Sequence, residues 1–421
     1  MASTIDDVFE STCSPLRADG ARDLLVYIHI PFCRYLCTFC DWVNQYPARE
    51  LISGKDFHAR YVDALCRQIR DVGPRLAAAG YVPRLIYWGG GTPTILDSEH
   101  FRAIMQALHD GLALDHVVEH SIEATPDSVE VEKVRVLREL GVGRISVGVQ
   151  SFDEEQLRKA GRGHSASRVR DAVQSIQEAG VENYNLDVMI GLPGQSLSDV
   201  EAMSQNCLDL RPAHVTLYAY RPTSGTRLAV LIRSGRRELL SNNLLVDGFE
   251  RAQAMLADAG YHEYITGYYA RDLRYKYKGE QYYFGLEGDW FGFGAGANSV
   301  INHHQFGTRR DDISFFIEHP FHLASCERFS LENAGSILFK LRLAMLTEEG
   351  VRYDLFRNLF GIEFSDMRRH PLLQRYVEYF RQCGAEFVDD GERLYVRPDT
   401  RTRAHLRSYG MSPEYQSAHI A

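Results

Sequence analysis

Residues 27–42 read YIHIPFCRYLCTFCDW and place Cys33, Cys37 and Cys40 in a C-x3-C-x2-C pattern. The triplet follows a short apolar run, residues 26–30, that reads as a β-strand. Three thiolates at this spacing can hold three irons of a [4Fe-4S] cluster. Such clusters normally take four cysteines, so the fourth iron is left for a substrate or cofactor. Cysteines at i, i+4 and i+7 would also share one face of a helix and could be small core residues. Pro31 and the abrupt end of the strand pattern argue for a loop instead. Structural zinc usually requires a second cysteine or histidine pair, and none follows.

From residue 24 to about 220 the chain alternates short β-branched or aromatic runs with amphipathic segments. Strands are expected at 26–30, 84–88, 119–124, 144–149, 184–190 and 214–220. Helical patterns lie between them at 57–72, 98–111, 128–140, 166–179 and 197–208. Strict β–α alternation predicts a parallel sheet with helical crossovers, and six units suit an open partial barrel rather than a closed one of eight strands. The unusual residues sit at the carboxyl ends of these strands. The cysteine loop follows the first, and Gly89-Gly90-Gly91-Thr92 the second. Glu123 ends the third, Gln150 follows the fourth, Asp187 and Met189 lie late in the fifth, and Tyr218 late in the sixth. Parallel α/β folds carry their chemistry at that mouth. The glycine run lets backbone approach a ligand closely, and Asp187 is suited to a ribose hydroxyl.

The motif and its flank resemble the radical S-adenosylmethionine (SAM) superfamily, in the branch of the oxygen-independent coproporphyrinogen III oxidases, the haem chaperones and the class C methyltransferases. Residues 144–162 and 185–196 resemble the same branch. The resemblance implies a [4Fe-4S] cluster on Cys33, Cys37 and Cys40, with SAM on the open iron. It implies that Tyr27, Gly90 and Glu123 contact that SAM. It also implies a second SAM near Phe39, Gly91, Thr92, Gln150, Arg162, Asp187 and Ala219, and Met189, late in the fifth strand, is expected among the cofactor-binding residues. Gly292, Gly294 and Gly296 resemble a glycine-rich loop near the open iron.

The chain has 421 residues, of which 45% are hydrophobic and 24% charged, within the range of a globular protein of two or three domains. Forty-seven Lys and Arg against 56 Asp and Glu give a net charge of −9, which disfavours nucleic acid as the main partner. No apolar stretch approaches the ~18 residues that span a bilayer, and no secretory signal opens the chain. Beyond the triplet the cysteines are scattered singly, so a reducing cytoplasm is expected. The expected division is a lead-in at 1–23, a partial (β/α)6 barrel at 24–225, a β-rich extension at 226–325, and a small helical, winged-helix-like domain at 326–421. The extension carries an aromatic-rich stretch from Tyr261 to Phe293 that reads equally as a packed wall or a stacking surface.

Coproporphyrinogen oxidases of this type carry a further cysteine two positions beyond the third, where this chain has Trp42, and a longer N-terminal extension. The haem chaperones carry a His-Asn…Tyr-Trp element where this chain reads YKYKGEQYYFGLEGDWFG, without the histidine. The expected activity is therefore that of a class C methyltransferase or cyclopropanase. It would act on an aromatic natural-product precursor, with a flavodoxin- or ferredoxin-type electron donor and a possible partner methyltransferase. The haem chaperone and the coproporphyrinogen oxidase are the alternatives.

Overall fold

The computed structural model describes residues 22–408 apart from 44–47, 222, 224 and 239, and gives no side-chain description for residues 48 and 51. Most of the expected lead-in lies outside these residues. Its last two belong to the first strand, β1 (Arg22–Ile30). Five further strands follow in parallel and in sequence order: β2 (Tyr81–Gly90), β3 (Glu119–Ala124), β4 (Arg144–Gln150), β5 (Asn183–Ile190) and β6 (His214–Ala219). The main crossovers are α1 (Lys55–Ala78), α2 (Ser98–Gly111), α3 (Val131–Glu139), α4 (Ala166–Glu178) and α5 (Leu197–Asp209).

The strands alternate strictly. On the outer face Ile86, Ile122, Ile145, Val147, Leu186, Val188 and Val215 join one core with the crossover helices. Their neighbours face inward and are polar: Tyr87, Glu123, Ser146, Asn185, Asp187, His214 and Thr216. A period of two therefore writes a dry outer face and a hydrogen-bonding inner one. Register aligns the inner residues into layers, Glu123 opposite Ser146, Ser146 opposite Asn185, and Asn185 opposite His214. His214 is fully buried and satisfied on both nitrogens, by Asn185 Oδ1 and the Tyr264 hydroxyl, each at 2.6 Å.

Of the boundaries that differ from the sequence reading, two have a plain physical reason. The second strand starts at Tyr81 rather than residue 84, because the β1–β2 ladder shifts register between Leu24 and Leu25, opposite the Pro83 that cannot donate. Helix α1 runs through Gly73-Pro74 to Ala78. Gly73 lies where an added Cβ would come within 3.2 Å of the Gly111 backbone, so its smallness lets α1 and α2 meet.

The sheet extends beyond its parallel centre. Strand β7 (His262–Ile265) pairs with β8 (Tyr268–Ala270), which lies antiparallel on β6. On the other side β9 (Asp289–Phe293) lies parallel to β1, followed outward by β10 (Asn298–Ile301), β11 (His304–Gly307) and β12 (Ser325–Arg328). Helix α6 (Asn242–Asp258) packs on α5.

The last part carries α7 (Ala334–Ala344), α8 (Tyr353–Phe360), α9 (Pro371–Gln382) and α10 (Pro398–Ser408). Beside them lies a small sheet of β13 (Val351–Arg352), β14 (Phe387–Asp389) and β15 (Arg393–Val396). The hairpin turns at Asp390-Gly391, where Gly391 has φ +91°. Ile337, Leu341, Phe356 and Phe380 share a core with Leu25, Leu85, Trp290 and Val300, which seats this part on the main sheet. Among the described residues no helix is long and apolar enough to cross a membrane.

Candidate cluster and cofactor site

Immediately after β1 the chain leaves the sheet as a loop, and the loop is pinned along its length. The N–H of Gly91 donates to Ile30 O at 2.8 Å, and that of Thr92 to Phe32 O at 2.7 Å. Further on, Thr38 N–H donates to Ala160 O at 2.9 Å, and Leu228 N–H to Thr38 O at 2.7 Å. The Tyr35 hydroxyl donates to Asp127 at 3.0 Å. A loop fixed this way cannot wander, so the three thiols are held as a set.

All three line one cavity of about 940 Å³ and none is in a disulfide. Thr92 Oγ1 donates to Cys33 Sγ at 3.8 Å, and the Arg162 guanidinium donates to Cys37 Sγ at 3.4 Å. Burial, with the neighbouring thiols adding, pushes Cys33 up to about 12; burial and Cys37 push Cys40 up to about 11. Iron would reverse that direction, because a ligated sulfur is a thiolate. Among the described residues no group of three His, Cys, Asp or Glu converges on a point as one metal ion requires. Separate thiols around one cavity, with N–H and O–H donors turned to sulfur, suit a cluster in which each thiolate holds its own iron. A tetrahedral zinc site would need a fourth ligand, and among the described residues no further cysteine or histidine stands with these three to complete one.

Of the fourteen residues assigned to the cluster or to SAM, thirteen line this cavity: the three cysteines, Phe39, Gly90, Gly91, Thr92, Glu123, Gln150, Arg162, Asp187, Met189 and Ala219. Tyr27 does not. It stands behind the wall, its ring stacked on Tyr87 at 6.2 Å and its hydroxyl 3.1 Å from His29 Nδ1. Gln150 turns into the mouth through a register shift in β4, with a left-handed φ of +69°. For a residue other than glycine that conformation costs about 1–3 kcal/mol, a strain typical of ligand sites. Asp187 is held by Asn185 at 2.7 Å and Ser146 at 3.0 Å, while burial raises its pKa.

Glu123 accepts a 2.6 Å hydrogen bond from the Tyr87 hydroxyl, yet burial pushes its carboxyl from an ordinary 4.5 to about 7. The folded chain thus keeps this proton where the unfolded chain has lost it. Its contribution to stability is full below about pH 4.5 and is lost as pH rises to about 7. Glu123→Gln is expected to remove that slope, so its melting temperature should gain on the parent's across this window. Parallel melting curves would contradict the assignment.

Two expectations about the extension are redrawn. The aromatic-rich stretch packs behind the site: Tyr268 lies against Tyr218, Tyr277 against Tyr87, and Tyr283 near Trp290. None of the aromatic residues from Tyr261 to Phe293 lines the cavity. Gly292, Gly294 and Gly296 do not line it either, and Gly294 is pressed against Tyr61 and the His29 carbonyl. Sequence reasoning missed the opposite wall. Phe339, Arg342 and Leu343 of α7, Tyr376, Tyr379 and Phe380 of α9, and His405 of α10 close the cavity from the C-terminal part. Their amphipathic spacing reads only as helix packing, so no local signal marks them.

The fold and site together define a radical SAM protein. The family model of the radical SAM superfamily matches residues 27–206. Haem chaperone HemW of Bacillus subtilis is 30% identical over 342 residues, covering 79% of this chain and 82% of the relative. HemW of Escherichia coli is 32% identical over 279 residues, covering 66% and 70%. The oxygen-independent coproporphyrinogen III oxidase of Paracoccus denitrificans is 31% identical over 273 residues, covering 63% and 57%. The solved structure of coproporphyrinogen III oxidase from Escherichia coli shares the fold, with a TM-score of 0.74 at 21% identity over 95% of this chain and 91% of that one.

The chain belongs to the radical SAM superfamily, in the branch of the haem chaperones and oxygen-independent coproporphyrinogen oxidases, and membership implies a [4Fe-4S] cluster and SAM. This overturns the expected methyltransferase or cyclopropanase activity, and with it the partner methyltransferase, because the relatives are haem chaperones and coproporphyrinogen oxidases. The physical reason is plain. The motif residues gather on one cavity and belong to the segments that resemble the whole branch, so they do not separate its activities.

Proposed function

We propose that the chain is a tetrapyrrole-handling radical SAM protein of the haem chaperone kind. Cys33, Cys37 and Cys40 would hold the cluster, and Gly90 and Glu123 would grip the SAM on it. When bound, the cluster supplies the electron that cleaves SAM reductively. The chain's own part is to fix three thiols, to set Arg162 and Thr92 as donors to sulfur, and to keep water away. A flavodoxin- or ferredoxin-type donor belongs to this reading. So does a second SAM near Phe39, Gln150, Arg162, Asp187 and Ala219, supported by their sharing one cavity. The division at residues 225 and 325 is likewise our reading.

The observation that carries the proposal is the cavity itself. At about 940 Å³ it stands near the top of the range for small-molecule sites, with thiols on one side and an aromatic wall on the other. A large flat ligand fits such walls. Haemin titrated into the anaerobically reconstituted protein is expected to shift its Soret band at a stoichiometry near one. No shift, with carbon dioxide released from coproporphyrinogen III, would replace the chaperone reading by decarboxylation.

A further inference from the structure

Among the described residues three arginines line the cavity, and two are committed. Arg162 donates to Cys37 and to the Gly148 carbonyl, and Arg221 donates to Asn242 at 2.5 Å. Arg342 of α7 is different. Its guanidinium lies over the Tyr376 ring, 5.8 Å from the centroid, and among the described residues it makes no ion pair or hydrogen bond. Beside it, burial and Arg342 itself push His405 down to about 4, so of these two neighbours the guanidinium carries the charge near neutral pH. A half-buried guanidinium that lines the cavity with no acceptor among the described residues keeps its five N–H donors open to an anion that enters.

The shape around it narrows the anion. Phe339 and Trp42 line the same cavity from opposite parts of the chain, and remain 51% and 48% exposed. Large aromatics left open at a cavity wall mark a surface that a ligand covers. Tyr376 is buried beneath the guanidinium. The ligand that fits combines a flat conjugated body with a carboxylate at its edge.

We propose that Arg342 is the anchor for a propionate carboxylate of the bound tetrapyrrole, with Phe339 and Trp42 flanking the macrocycle. This rests on the tetrapyrrole reading above and adds to it a specificity-determining residue. A planar guanidinium can take a carboxylate through two parallel hydrogen bonds, which a lysine cannot reproduce.

The test titrates coproporphyrin III and its tetramethyl ester into the full-length, reconstituted protein, following porphyrin fluorescence. Arg342→Ala is expected to weaken the acid by about tenfold to a hundredfold, as loss of a charged hydrogen bond should. It should leave the ester, already weak in the parent, unchanged. Iron content equal to the parent's shows that the variant is folded. Should it lose iron, Arg342→Lys takes its place; it keeps the charge but loses the fork, and is expected to fall between the two. Acid binding in either folded variant equal to the parent's overturns the anchor and leaves the tetrapyrrole reading standing. A parent protein that binds neither acid nor ester overturns the tetrapyrrole reading itself, and the anchor with it.

Discussion

Cys37→Ser is expected to give a folded chain that retains only a small fraction of the on the order of four irons a [4Fe-4S] cluster brings. The physical case rests on the thiol count. Among the described residues the cavity offers three cysteines, and each would hold one iron, so no spare ligand replaces a lost one. Serine keeps the volume but replaces the soft thiolate that iron–sulfur clusters select. Cys37 is also the sulfur that accepts from Arg162, whose guanidinium lies 5.1 Å from the Tyr35 ring and keeps its hydrogen bond to the Gly148 carbonyl in the variant. The fold should survive, because Cys37 belongs to neither of the large cores. Full iron content in the variant would remove Cys37 from the ligand set.

Gly91→Ala should have the second-largest effect, acting through backbone rather than chemistry. A Cβ at Gly91 would stand 2.5 Å from the Phe32 carbonyl oxygen and 2.8 Å from the Pro31 carbonyl group. These atoms belong to the chain immediately before Cys33, and the N–H groups of Gly91 and Thr92 bind that same segment. The methyl group must therefore push the cysteine loop off the second strand. Overpacking of this kind costs about 1–3 kcal/mol. The sharper readout is iron: the displaced loop should take up much less cluster, while the melting temperature falls by only a few degrees. A variant with normal iron and an unchanged melting curve would mean that the loop and the glycine run do not touch.

These two sites also show how far the sequence could be read. The cysteine triplet, the glycine run, Glu123, Gln150 and Asp187 were legible because each sits at or just past the carboxyl end of a strand that the alternation marks, whereas Arg162 came only from the resemblance of residues 144–162. Parallel strands then bring their carboxyl ends to one mouth. Tyr27 obeys the same parity but sits lower in the barrel, behind Tyr87. Depth along a strand depends on register and tilt, which the alternation pattern does not encode. Arg342 and Tyr376 were not legible at all. They reach the cavity only because the C-terminal helices dock on the main sheet through Leu25, Leu85 and Trp290. The wall opposite the cysteines is built from that docking, so the motifs around the cysteine loop could not reveal it.

The most direct measurement is electron paramagnetic resonance of the anaerobically reconstituted, reduced protein, recorded before and after SAM is added, with deoxyadenosine assayed on the same sample. A three-cysteine cluster with one open iron predicts a [4Fe-4S]+ signal that changes when SAM binds, and deoxyadenosine formed with methionine. A signal indifferent to SAM, or a protein that holds zinc in place of iron, would contradict the account.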